Sequence, residues 1–299
     1  MQVRYVACIF GFLMNFCFVI FNYNLPDEVD NIYAKLLSDG VCRDDIIVVD
    51  NGSDKCLIPE SANFILPKNL RFTGQAYLTS NLLLDFYEYD YYVYITTSAR
   101  LLSHIDYFKE VVKVIENMGK SNAGFTVASL TGGRTKDSAP DQDVDILTED
   151  YHQIFDFQPI VTVVSRRLIS LCKASESAYF NLDLKRGWGI DRELQYISNL
   201  NNLPCYVSKS LVVEWRTNLA HRKGVADESV SNYRTEAELE MLSVFSDKYG
   251  MDWQNKFLIE FNRVSGHVGV KPTGKNKLLF ILHKLGLLKT FKRMINKKW

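Results

Sequence analysis

Net charge is the first thing this chain lacks. Its 299 residues carry 35 Lys and Arg against 35 Asp and Glu. That balance disfavours a uniformly basic surface, and with it nucleic acid as a partner. Paired cysteine spacing is also missing. None of the six cysteines (Cys8, Cys17, Cys42, Cys56, Cys172, Cys205) forms a Cys-x-x-Cys pair, and several sit in apolar runs. Buried free thiols in a reducing compartment are the expectation. A calcium loop fails as well. Asp141, Asp143 and Asp145 have the alternation, but Ile146 and His152 stand where such a loop needs Gly and Glu, so the stretch reads as an acidic surface loop. Secretory features are poor. Residues 5–21 are almost uncharged and long enough for a membrane span. Yet a single Arg precedes them, no cleavage site is clear, and the run flows into a β-like segment. Val3–Phe12 is expected as an additional strand with Phe12–Phe16 as its connection; an anchor is the alternative.

What is present suits one large α/β domain with appendages. Hydrophobic residues make up 47% and aromatics 13%, enough for a substantial core. The zero charge hides an asymmetry. Residues 271–299 hold nine Lys or Arg and no acid, which leaves the rest at 26 basic against 35 acidic.

The run Asp45-Ile46-Ile47-Val48-Val49 is too short for a helix and too apolar for a surface strand, so it predicts a buried parallel strand. Asp50-Asn51-Gly52-Ser53 ends it with turn chemistry. A carboxylate there lies where open α/β sheets bind ligands, and it can accept from a ribose or a base N–H. A plain strand-and-turn reads equally well from these four residues alone. Upstream, Phe16–Phe21 predicts another strand, closed by Asn22-Tyr23-Asn24. Pro26-Asp27-Glu28 then suits a helix's first turn, and Val29, Ile32, Tyr33, Leu36 and Leu37 follow at helical spacing.

This order resembles the start of the family 2 glycosyltransferases. The resemblance implies a GT-A fold, a Rossmann-like mixed α/β sheet flanked by helices, here with a C-terminal helical extension. It further implies that Tyr23, Asn24, Asp50 and Asn51 hold the nucleotide of a sugar donor. Asn69-Leu70-Arg71-Phe72-Thr73-Gly74 resembles the family's Asn-x-Gly-x-x-Gly helix opening, with Arg71 in place of the first Gly. A cation at a helix start suits a diphosphate; a solvated loop charge is the alternative. Tyr91–Ile95 predicts a strand that leads, in most members, to a metal-binding Asp-x-Asp. Here Thr96-Thr97-Ser98 stand at that place. Hydroxyls are poor ligands for Mg²⁺ or Mn²⁺. No cofactor is therefore expected, although a divalent metal stays open. Arg71 or Arg100 would neutralise the phosphates, or activity is lost.

Gly187-Trp188-Gly189-Ile190-Asp191-Arg192-Glu193 resembles the family's Trp-Gly-x-Asp stretch, which implies Asp191 as catalytic base. Trp188 offers an apolar face to an acceptor sugar, and the glycines, Gly189 among them, permit close approach. A helix-capping Asp is the bland alternative. Further elements are expected over Asn63–Leu66, Ser103–Met118, Gly124–Leu130, Pro159–Val164, Arg192–Leu200, Cys205–Trp215 and Thr235–Tyr249, the last begun by Thr235-Glu236-Ala237-Glu238. Thr131–Tyr151 reads as a polar loop beside the site. Glu214-Trp215-Arg216 stands where the family often has a metal-binding His; His221 is near. Lys248–Trp253 resembles a segment of bacterial rhamnosyltransferase-like members. The likeness covers roughly residues 16–255 through short motifs.

In the tail, Leu278, Ile281, Leu282, Leu285, Leu288, Phe291, Ile295 and Trp299 form a helical stripe, with the lysines mostly off it. A helix lying on an anionic membrane surface is expected, with a packed helix as alternative. The expected organisation is 1–215 catalytic domain, 216–270 helical subdomain and 271–299 basic tail. The expected activity is inverting transfer from a nucleotide sugar to a glycan acceptor that is lipid-linked, in bacterial surface polysaccharide synthesis on the cytoplasmic membrane face. The alternatives are a degenerate sugar-binding scaffold and a sugar nucleotidyltransferase, whose Gly-rich basic loop Asn22-Tyr23-Asn24-Leu25 does not provide.

Overall fold

A computed structural model of the chain describes residues 7–9, 12–118, 124–130, 150–153, 155, 160–174, 181–216, 218–226 and 228–265. The basic tail, Arg71's neighbours Phe72 and Thr73 as side chains, and Asp141, Asp143 and Asp145 lie outside that description. The strands are β1 (Ala7–Ile9), β2 (Phe12–Met14), β3 (Phe16–Asn22), β4 (Ile46–Asp50), β5 (Phe64–Ile65), β6 (Tyr91–Thr96), β7 (Ala99–Leu101), β8 (Gly124–Leu130), β9 (Tyr151–His152), β10 (Val161–Ser165) and β11 (Cys205–Trp215). The α-helices are α1 (Pro26–Ser38), α2 (Arg71–Phe86), α3 (Tyr107–Met118), α4 (Arg166–Ala174), α5 (Ile190–Leu200), α6 (Leu219–Arg222), α7 (Val230–Tyr249) and α8 (Trp253–Ser265).

One mixed sheet runs β5-β4-β3-β6-β10-β8-β11-β7, with β9 paired to β11. β3 pairs in parallel with β4 and with β6, and β4 with β5. β10 runs against both β6 and β8, while β8 and β11 are parallel. The central strands are apolar throughout because both faces are covered. Cys17, Val19 and Phe21 of β3 enter one core with α2, α4, α5, α7 and α8. Phe16, Phe18 and Ile20 enter the other, with α1 and α3. This period-2 division buries every residue of β3. β11 changes allegiance half way. Cys205 and Val207 belong to the first core, Leu211 and Val213 to the second. The switch falls at an irregularity between Ser208 and Val212, where the β8 register slips.

Three expectations need correction. The apolar run before β3 makes two short antiparallel strands, β1 and β2, rather than one. β3 already has neighbours on both edges, so that run pairs with itself. α7 starts at Val230, five residues before the expected Thr235, because the Ser229 hydroxyl accepts from Asn232 N at 3.2 Å. α3 starts at Tyr107, not Ser103; the Asp106 carboxylate accepts from Lys109 N at 3.0 Å and fixes the start there. Residues 16–21, part of the candidate anchor, form the buried strand β3, and among the described residues no helix is long and apolar enough to cross a membrane. Of the described thiols, Cys17, Cys172 and Cys205 are buried, and burial pushes Cys205 up to about 11. Cys56 is exposed.

Candidate active site

The register aligns Asn22 with Asp50 and Phe21 with Thr96, so the carboxyl ends of β3, β4 and β6 lie side by side. Asp50 is fully buried there. Its Oδ2 accepts from Asn22 Nδ2 at 2.7 Å and from Ser53 Oγ at 2.6 Å, and its Oδ1 accepts from Ser53 N at 2.9 Å. A buried carboxylate requires such donors. Ser53 Oγ also accepts from Asn24 N at 2.8 Å, and Asn24 Oδ1 accepts from Asp54 N at 2.8 Å. Asn24 holds φ 55°, the left-handed region that asparagine tolerates. Asp50 is thus the keystone that ties the Asn22–Asn24 loop to the 50–54 turn; Tyr23, within that loop, is half-buried.

Asn51 extends the network to α2. Its Oδ1 accepts from Leu70 N at 2.9 Å, and its Nδ2 donates to Asn69 Oδ1 at 3.0 Å and to the Arg71 carbonyl at 3.2 Å. Gly52 permits this closeness: a Cβ there would lie 2.2 Å from the Lys68 carbonyl carbon. Arg71 itself takes φ 61°, where glycine would be unstrained. Its Nη1 donates to Glu228 Oε1 at 2.8 Å.

The Trp-Gly loop comes to the same oxygen. Arg186 Nε lies 3.6 Å from Glu228 Oε1, and Arg186 Nη1 is 3.5 Å from Glu240 Oε2. The Tyr233 hydroxyl donates to the Arg186 carbonyl at 2.6 Å, and Tyr233 is pushed up to about 12, chiefly by burial. That hydroxyl therefore stays a donor across the physiological range. Trp188 is 37% exposed, ready for an apolar contact. Gly189, with φ +90°, is buried against α7: a Cβ would lie 2.7 Å from Met241 Cγ and 2.9 Å from Phe245 Cζ. Packing gives this glycine a reason of its own. Asp191 is half-buried in the first turn of α5. Glu193, two residues further on, is fully buried and accepts from Lys248 Nζ at 2.8 Å and from the Tyr249 hydroxyl. It joins the Trp-Gly-x-Asp stretch to the Lys248–Trp253 segment.

Thr96 ends β6, and Thr97 and Ser98 form the β6–β7 turn. Thr96 Oγ1 and Ser98 Oγ bond each other at 2.7 Å. The Thr97 and Ala99 carbonyls accept from Arg216 Nη2, each at 3.3 Å. Arg216 Nη1 in turn pairs with Glu28 Oε2 at 2.7 Å, and Lys223 with Glu28 Oε1 at 2.9 Å. Burial pushes the Glu28 carboxyl up, but Lys223 and Arg216 outweigh it and hold the group below its ordinary range. Arg100 pairs with Glu214 at 3.3 Å. A turn of hydroxyls, with its carbonyls bound to a guanidinium, does not fit a divalent cation. Among the described residues, no three His, Cys, Asp or Glu converge as metal ligands. Sequence motifs marked Glu28 only as a helix-start acid and did not single out Arg186, Glu228 or Glu240, because isolated charges in loops and helices carry no pattern.

Comparison with solved structures defines the class: the chain has the fold of the GT-A glycosyltransferases. The crystal structure of TarS 1–349 from S. aureus matches with a TM-score of 0.53 at 13% identity, covering 92% of this chain and 80% of that one. In complex with UDP-GlcNAc, TarS matches at 0.53 and 12%, over 90% and 81%. The mannosyltransferase PcManGT from Pyrobaculum calidifontis, in complex with GDP-Man and Mn²⁺, matches at 0.52 and 11%, over 98% and 86%. No protein-family model matches the sequence, and no curated protein does.

Proposed function

We propose that this protein is an inverting glycosyltransferase that moves a sugar from a nucleotide-sugar donor to a hydroxyl of a glycan acceptor. One observation carries this reading. The donor-side turn, through Arg71, and the Trp-Gly loop, through Arg186, meet at a single oxygen of Glu228. Two stretches more than a hundred residues apart in sequence thereby meet at one carboxylate.

In this reading Tyr23, Asn24, Asp50 and Asn51 position the nucleotide, Asp50 by holding its neighbours' amides and hydroxyls in place. Thr96, Thr97 and Ser98 line the route of the diphosphate. Trp188 and Gly189 border the acceptor sugar. The acceptor oxygen attacks the anomeric carbon, the bond from that carbon to the phosphate oxygen breaks, and the nucleoside diphosphate leaves with the electron pair. Asp191 takes the proton of the attacking hydroxyl. The fit of the β6–β7 turn to Arg216 supports a reaction that needs no divalent metal. The one-sided cations of residues 275–299 support a lipid-linked acceptor and an anionic membrane surface as partner, on the cytoplasmic face of a bacterial membrane where surface polysaccharide is built.

The test is Asp191→Asn, assayed by release of nucleoside diphosphate from a panel of nucleotide sugars with a glycan acceptor. Turnover should fall by about 10²–10⁴-fold, the worth of a general base, while donor affinity and melting temperature stay near wild type. Turnover close to wild type would remove Asp191 from this role. The altered metal corner favours one second reading, a sugar-binding scaffold without turnover. Donor binding by the wild type with no transfer to any acceptor tried would favour it.

A further inference from the structure

We propose that Arg71 and Arg186 form the subsite for the donor's diphosphate, and that Glu228 is an internal stand-in which the incoming diphosphate displaces. The proposal rests on the glycosyltransferase reading and adds to it a second cation and a built-in competitor.

Glu228 Oε1 is shared unequally. Arg71 Nη1 donates to it at 2.8 Å, whereas Arg186 Nε is held at 3.6 Å, beyond hydrogen-bond length. Arg186 Nε is buried and has no hydrogen-bond partner. A buried N–H without an acceptor is a standing cost. In this arrangement Glu228 Oε1 is within hydrogen-bond length of only one of the two guanidinium groups. A diphosphate, with several oxygens spread over two phosphorus atoms, can satisfy both. The backbone of Arg71 takes a φ of 61°, a strained conformation for an arginine.

The surroundings are arranged for exchange. The backbone of Arg71 is fixed by Asn51 and Asn69, whose Oδ1 accepts from Arg71 N at 2.8 Å. The backbone of Arg186 is fixed by Glu240 Oε1, which accepts from its N–H at 2.8 Å, and by the Tyr233 hydroxyl. Replacing the carboxylate therefore disturbs side chains alone. Glu228 has another tether: its Oε2 accepts from Asn232 Nδ2 at 2.6 Å. The charges in the cluster, Arg71 and Arg186 against Glu228 and Glu240, balance. An anion entering without displacing Glu228 would meet a like charge; once Glu228 has turned away, it meets two cations. Arg71 is the accessible member, its side chain 36% exposed, so entry is from that side.

Titration calorimetry of the full chain decides the matter, with UDP and GDP compared with UMP and GMP. Removing the competitor in Glu228→Gln should tighten the preferred diphosphate about tenfold and its monophosphate by less than about twofold. Arg186→Gln should weaken the diphosphate about tenfold and spare the monophosphate to the same degree. In the double variant the gain from Glu228→Gln should shrink markedly, as coupled neighbours require. Arg186→Lys keeps the charge and removes the Nε–H; it should lower the diphosphate preference on its own, and it decides the question should Glu228→Gln not fold. Parallel changes for diphosphate and monophosphate, or weaker diphosphate binding in Glu228→Gln, would mean that the cluster is a structural tie, leaving the glycosyltransferase reading intact. No nucleotide binding by the folded wild type would overturn that reading and the subsite together.

Discussion

Gly189 and Gly40 share a φ of +90° but not their surroundings, and substituting each by alanine separates backbone strain from packing. Around Gly40 nothing lies within 4 Å of an added Cβ. Around Gly189 the same atom would lie 2.7 Å from Met241 Cγ and 2.9 Å from Phe245 Cζ. Met241 can yield by rotating. Phe245 cannot, because it is fully buried, with Trp253 at 4.8 Å and Phe257 at 5.4 Å between ring centroids. Both variants pay ~1–2 kcal/mol for an L side chain in the left-handed region. Both regain ~0.4–1 kcal/mol from a stiffer unfolded chain. Overpacking at Gly189 alone adds ~1–3 kcal/mol. At about 2 °C per kcal/mol for a chain of this size, Gly189→Ala should melt roughly 2–6 °C below Gly40→Ala. Differential scanning calorimetry of the three proteins measures it. Transfer should fall as well in Gly189→Ala, since the displaced loop carries Asp191 two residues on; Gly40→Ala should keep wild-type turnover. Equal melting of the two variants would refute the claim that α7 dictates this glycine.

Two further outcomes are expected. Donor binding and transfer should persist in excess EDTA, because Arg216 holds the carbonyls of the β6–β7 turn; loss of transfer with restoration by Mn²⁺ or Mg²⁺ would require carboxylates elsewhere. Deleting residues 275–299 should release the protein from anionic vesicles in a sedimentation assay and spare activity on a soluble acceptor, each cation near such a surface being worth about 1 kcal/mol; equal vesicle affinity with and without the tail would move the contact to another segment.

The sheet was legible because its strands are buried on both faces. Phe16–Phe21, Ile46–Val49 and Tyr91–Ile95 are unbroken apolar runs that few other structures accept, and each is a strand within a residue at either end. The turns were legible where turn chemistry marks them, as at Asp50–Ser53 and Gly187–Gly189. Helix starts were less so. Ser229 and Asp106 cap their helices through single hydrogen bonds, and lone Ser and Asp residues are too common to be singled out. The ion-pair clusters were invisible. Glu28 meets Lys223 across 195 residues, and Glu228 meets Arg71 across 157. Only the fold brings such partners together, and no local pattern announces them.

The irregularity in β11 acts as a spatial frameshift. Side chains alternate sides along a strand, so an odd number of extra residues, here Lys209, Ser210 and Leu211 against none on β8, reverses the assignment of every residue after them. Upstream of Ser208 the strand's odd positions serve the core shared with α5 and α7; downstream of Val212 they serve the core shared with α1 and α3. The strand therefore stitches the two layers with a single stretch of chain, and its parity governs how residue 216 leaves the sheet toward Thr97 and Glu28. Loss of one residue between Ser208 and Val212 would send Leu211's successors to the wrong layer and offer Glu214 to a hydrophobic core. Two residues could be lost together with far less damage. The length of this short stretch is constrained as odd or even rather than as long or short.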